Sequence, residues 1–338
     1  VAAVGMHATS TLEAVSALRG AAAEAWGRGG AASSPFRVRF AGHPCPAHAG
    51  SAHQCEMRCK LLGSCGPEDD AGDPLAEFIA GAVDVLGFEE RELYSLSEAR
   101  AALRWVPRRL QPLARADLLL CTFPTVLCVL LHELFPKTPL LFVAIANPLF
   151  AAPGCTRRED STVRMCEDAE AHEYLAAFRA MLLGGGCVRG VAAYSVTAAL
   201  VGFQAGVTLP LAGKAARYLP AGAAWSPEGG RPEALVARSR FFEAPVGAHL
   251  RTLLREFSGK RGAGCCACVL QQELAAYLSY EELSTFRAVV VLPQDLGLHK
   301  FTEHYAMGMP IWMPNREWAY RLQASVPWGM VAYSGTWR

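Results

Sequence analysis

The feature that most constrains this chain is an apolar run with no alternation. Residues 140–146 read Leu-Leu-Phe-Val-Ala-Ile-Ala and stop at Asn147-Pro148. A strand with one wet face must alternate apolar and polar positions, so a run without alternation is covered on both faces, as in a parallel sheet lined by helices. The neighbouring text fits. Asp117 leads a second apolar run over 118–123, and Pro124 opens a helical segment reaching Leu134. Strand, helix and parallel strand make one unit, whose crossover is right-handed by the general rule. Residues 167–183 then predict a long helix stopped by Gly184-Gly185-Gly186, and residues 188–196 predict another strand.

The alternation restarts later. Residues 219–232 are rich in Pro, Gly, Ala and Ser with little periodicity, the pattern of a linker. Beyond it the text predicts strands over 234–238, 265–270, 286–292 and 311–313, with helices over 246–257, 280–283 and 298–307. The expected organisation is α/β with two Rossmann-like domains: residues 1–218, a linker over 219–232, and residues 233–338. Two such domains place a ligand cleft between the carboxyl ends of their sheets. The first third is harder to read. Alanine and glycine crowd 21–34, and Pro, Gly and His crowd 41–53, a loop-rich pattern; helical spacing recurs over 74–86, and a further helix follows Ser97. The text opens at Val1, in the middle of an element, which reads as a fragment.

Composition excludes several functions. With 32 Lys and Arg against 31 Asp and Glu in 338 residues, the chain has no net basic field for a nucleic-acid backbone or an anionic membrane. Residues 190–213 carry no charge and approach the length of a bilayer crossing. Tyr194, Ser195, Thr197, Gln204, Thr208 and Pro210 break that run, so strand, turn and helix is the better reading and membrane association is not expected. The sequence assigns no compartment. The 12 cysteines are spread along a long chain rather than packed into a small secreted scaffold, and Cys121 and Cys128 read as small free core residues. His43, Cys45, His48, His53, Cys55, Cys59 and Cys65 lack the paired spacing of a zinc site, and no Asp-x-Asp metal motif occurs; no metal is expected.

Residues 288–310 carry the chemistry. An apolar strand ends at Pro293, a loop containing Gly297 follows, and a helix opens with free N–H groups and a positive dipole end that suit a diphosphate. Gly297 allows backbone to approach phosphate closely. Asp295 lies on the loop and Glu303 on the helix, where carboxylates can each accept sugar or ribose hydroxyls. Gly308 ends the helix and Pro310 prevents its continuation. His299 and His304 read as solvated helix residues, and Trp312 and Trp318 as core or interface aromatics.

Asp295, seven residues, Glu303, and then Ala306-Met307-Gly308-Met309-Pro310 resemble the E-x7-E region of retaining GT-B glycosyltransferases over roughly 25 residues. The resemblance implies that Asp295 contacts the donor sugar and Glu303 the ribose. It implies that Gly297 and Leu298, with Arg238 or Arg240, hold the diphosphate. The first acid is Asp where the family has Glu, and no Lys follows Arg238 or Arg240 at the family's usual spacing. The implied activity moves a hexose from a nucleotide-sugar donor to a hydroxyl acceptor, with no other cofactor. A non-catalytic sugar- or nucleotide-binding module of the same fold, and a nucleotide-sugar epimerase, are the alternatives.

Overall fold

The computed structural model describes residues 1–5, 8–25, 36–41, 59, 95–104, 111–145, 148–149, 155–157, 164–166, 168–212, 223–226, 228, 230–259, 267–274, 278–292 and 299–324. The His and Cys residues over 43–65, apart from Cys59, and the predicted helical stretch 74–86 lie outside these residues. The chain divides into two compact units, Val1–Arg217 and Tyr218–Arg338, each of mixed α/β type with parallel sheets.

In unit 1 the strands are β1 (Ala2–Val4), β2 (Arg39–Ala41), β3 (Leu119–Cys121), β4 (Leu140–Ala144), β5 (Cys155–Arg157), β6 (Arg164–Cys166) and β7 (Val188–Ala192). Among the described residues its helices are α1 (Ala8–Ala25), α2 (Leu96–Arg104), α3 (Gln111–Ala114), α4 (Thr125–Leu134), α5 (Asp168–Leu183) and α6 (Ser195–Ala205). Five strands form one parallel sheet in the order β2-β1-β3-β4-β7, while β5 and β6 pair antiparallel as a separate ribbon. The winding reverses between β1 and β3.

The unalternated runs are covered as anticipated. Leu140, Phe142 and Ala144 are buried together with Leu119, Cys121 and Val188 beneath α4 and α5. All seven residues from Thr125 to Leu131 are buried, as expected of a helix that is apolar all round. Phe178 meets Phe142 edge to face at 5.5 Å between ring centroids. Outside, Arg100 of α2 grips both carboxylate oxygens of Glu133 at 2.9 and 2.7 Å and reaches Glu173 of α5 at 3.0 Å. These groups are about a third to a half exposed, so the contacts align three helices more than they stabilise them.

Three expectations change here. The strand predicted over 188–196 ends at Ala192, because Ala193 and Tyr194 turn the chain into α6. The loop-rich reading of the early alanines gives way to α1, in which alanine, the best helix former, carries the helix to Ala25. Cys121 and Cys128 are buried as expected, but they are bonded to each other rather than free. Among the described residues, no helix is long and apolar enough to cross a membrane.

Unit 2 contains β8 (Arg231–Val236), β9 (Cys268–Leu270), β10 (Phe286–Val290) and β11 (Ile311–Trp312), with α7 (Pro245–Gly259), α8 (Tyr280–Ser284), α9 (His299–Ala306) and α10 (Arg316–Ala324). All four strands are parallel in the order β11-β10-β8-β9, so the winding reverses between β8 and β10. Pro245 occupies the first position of α7, where a missing N–H costs nothing. Ser279 and Glu282 form a reciprocal capping box on α8.

Within the predicted linker over 219–232, β8 begins at Arg231. Trp225 donates its backbone N–H to Met307 O at 2.8 Å and its indole N–H to Phe286 O at 3.0 Å. Arg231 already belongs to β8, its N–H 2.6 Å from Thr285 O and its guanidinium 5.0 Å from the Phe286 ring centroid. Pro232 misled the reading; proline is tolerated near the start of a strand.

Candidate functional site

In an open parallel sheet, ligands bind beyond the carboxyl ends of the strands where the winding reverses. In unit 2 that point lies between β8 and β10, paired in register at Ala234↔Ala288, Leu235↔Val289 and Val236↔Val290. The three residues after β8 are pinned in turn. Ala237 N–H donates to Val290 O at 2.9 Å. Arg238 N–H donates to Oε1 of Gln271, just beyond β9, at 2.9 Å. The Ser239 hydroxyl donates to Leu292 O at 2.9 Å and accepts from Phe241 N–H at 3.2 Å.

Arg238 is exposed there and Ser239 is buried. The 3-10 turn Arg240–Glu243 follows, with the rings of Phe241 and Phe242 in the core beside Leu270 and Leu292. Of Arg240 only the backbone is described. Gly247, early in α7, leaves no room for a Cβ, which would overlap the Phe241 carbonyl. Turn and helix are therefore in backbone contact at Phe241 and Phe242.

After Leu292 the chain enters residues 293–298, so Asp295, Gly297 and Leu298 lie outside the described residues. Glu303 on α9 is buried at 4% exposure, and Tyr280 donates its hydroxyl to Oε1 at 3.2 Å. That is long for a bond to a carboxylate, but it points the acid at α8. His304, expected to be solvated, is 2% exposed. Trp312 and Trp318 are 69% and 55% exposed, against a core reading, and Trp318 lies under the Arg321 guanidinium at 5.3 Å. The end of α9 follows the expectation: Gly308 has φ 76°, with Met309 N–H on His304 O and Gly308 N–H on Tyr305 O, the paired bonds of a Schellman cap.

The corresponding point of unit 1, between β1 and β3, is filled. The Thr11 and Thr122 hydroxyls bond each other at 2.8 Å, both side chains fully buried, and a Cβ on Gly5 would strike both oxygens. Glu13, 4% exposed, accepts the Tyr194 hydroxyl at 3.1 and 3.3 Å. Burial raises the Tyr174 phenol well above its ordinary range, and its hydroxyl donates to Pro148 O at 3.0 Å.

Sequence reading missed Ser239, Gln271 and Tyr280, and in unit 1 Thr11, Glu13, Thr122 and Tyr194. Position was the available signal for five of them: Ser239, Gln271, Thr122 and Tyr194 fall one to three residues beyond parallel strands, and Thr11 follows β1 by one turn of helix. Among the described residues no cluster of His, Cys, Asp or Glu could hold a metal ion.

No known family model matches the chain, and no curated protein does. Among solved structures, the crystal structure of CalG4, the calicheamicin glycosyltransferase, aligns at 12% identity over 99% of this chain and 90% of its own, with a TM-score of 0.34. A score that low carries no argument about fold or function; the assignment to mixed α/β with parallel sheets stands on the strand pairings.

Proposed function

We propose that the chain is a glycosyltransferase of the GT-B kind that transfers a hexose from a nucleoside diphosphate donor to a hydroxyl acceptor, with the donor held at the carboxyl edge of unit 2. One observation carries the reading. The pairing of β8 with β10 brings Arg238 and the exit toward residues 293–298 to the same sheet edge, although they are far apart in sequence.

In this reading the acceptor oxygen bonds to the anomeric carbon as the bond from that carbon to the diphosphate breaks. The electron pair leaves with the nucleoside diphosphate, and the acceptor proton passes to a base or to water. Arg238, with Arg240 and the amides of Gly297 and Leu298, offsets the charge building on the diphosphate. Asp295 addresses the sugar. Glu303 addresses the ribose, exchanging the long Tyr280 bond for ligand hydroxyls.

Asp295, one methylene shorter than the family's Glu at the position that addresses the transferred sugar, favours a second reading, a binding module of the same fold that does no chemistry. Incubation with nucleotide sugars labelled in the hexose separates the readings. Transfer or hydrolysis supports the enzyme, binding without turnover supports the module, and a changed sugar configuration points to an epimerase. In the enzyme, Asp295→Asn lowers kcat more than it weakens donor binding, because the sugar contact matters most near the transition state. Unchanged turnover in that variant removes Asp295 from the site.

A further inference from the structure

We infer that Ser239 and Gln271 are positioning residues for Arg238, two side chains that aim its guanidinium at an anionic diphosphate. This rests on the donor site proposed above. A parallel strand normally loses its neighbours where it ends, and the next residue swings freely. Here the ladder continues past β8 by other means. Ala237 is held by the backbone of β10, Arg238 by the Gln271 side chain beyond β9, and Ser239 by its own hydroxyl on Leu292 O. Arg238 is therefore tied through its own amide and through both chain neighbours, to both flanking strands, while its side chain stays exposed.

The Ser239 hydroxyl has a second role. Leu292 lies two residues beyond the end of β10, so the same bond ties the exit of β10 to the exit of β8. A serine needed only to start the 3-10 turn would require one bond, the one accepted from Phe241 N–H at 3.2 Å. The donated bond to Leu292 O, at 2.9 Å and 53 residues away in sequence, adds nothing to that turn. It joins the two strand exits between which an anion would sit. Pre-aiming an arginine raises affinity by lowering the ordering cost of binding, and its planar fork makes the gain depend on direction.

The test compares uridine and guanosine diphosphates with the corresponding nucleosides, by titration calorimetry on the full chain. The ratio of the two affinities isolates the phosphate contribution and cancels any loss of folded protein. The wild type should prefer the diphosphate. Arg238→Ala should reduce that preference at least tenfold, Ser239→Ala and Gln271→Ala each three- to tenfold, and Ser239→Thr should restore it. In an Arg238→Ala background, Ser239→Ala should cost nothing further, the coupling expected of residues acting through one another. If Arg238→Ala lowers the preference but Ser239→Ala does not, or if the two losses simply add, the positioning role is wrong while the donor site stands. If Arg238→Ala has no effect, or the wild type shows no preference for the diphosphate, the donor site fails and the inference with it.

Discussion

The two sheets reverse their winding in the same way and use the reversal differently. Between β1 and β3 the carboxyl edge is filled by two threonine hydroxyls bonded over a glycine, with Glu13 engaged by Tyr194. Between β8 and β10 the comparable side chains of Ser239 and Gln271 bond to backbone and leave Arg238 exposed. Topology supplies a crevice; the few residues after each strand decide whether protein or ligand occupies it. The difference teaches that the winding alone is no evidence of a site.

The comparison breaks hardest at Gly247. If the turn after β8 is held by backbone contact with α7, Gly247→Ala forces two main chains apart and should cost about 3 kcal/mol, the upper end for overpacking. Hydrogen exchange resolved along the chain should show the loss in unit 2, around residues 237–247, and leave unit 1 unchanged. Equal losses in both units would mean that the turn is not locally braced.

A smaller effect is expected in unit 1. The bond between Cys121 and Cys128 closes a loop with a sequence separation of 7, for which chain entropy gives a stabilisation of about 2 kcal/mol. The Cys121→Ala, Cys128→Ala double variant should lower the unfolding free energy of unit 1 by that amount, read as a fall in its urea midpoint. An unchanged midpoint, or a wild type that stains for two thiols at these positions when denatured without reductant, would show that the pair is not bonded in solution.

The smallest effect is at the filled edge itself. Tyr194→Phe removes one hydroxyl from the Glu13 carboxylate at a half-buried position and should cost about 1 kcal/mol. Adding the change to Glu13→Gln should cost less than the sum, since both act on one contact. Full additivity would separate Glu13 from Tyr194 and reopen unit 1 as a ligand edge.

Much of this was legible in the text. The unalternated runs around Leu120 and Phe142 required a parallel sheet, and the Gly308 to Pro310 stop placed the end of α9 because only one cap geometry suits that triplet. Pairing was not legible, since no local signal says that Ala234 faces Ala288. Burial misled at Glu303 and His304, whose polarity reads as surface on a helix only eight residues long. Tyr280, which donates to Glu303, lies on another helix, beyond any periodicity. Disulfide pairing likewise depends on where the β3 to α4 turn folds back, which spacing alone did not give.

The bonds made by Trp225 have a spectroscopic consequence. Its indole is half-buried, hydrogen-bonded to the carbonyl of Phe286 at the start of β10, while its own amide holds Met307 at the end of α9. A residue just before β8 thus clasps the element before the candidate loop and the element after it. Indole emission shifts red when that hydrogen bond and its apolar cover give way to water. With the other tryptophans changed to phenylalanine, Trp225 becomes an optical gauge of whether residues 286–307 hold together, readable at nanomolar protein without any knowledge of the substrate.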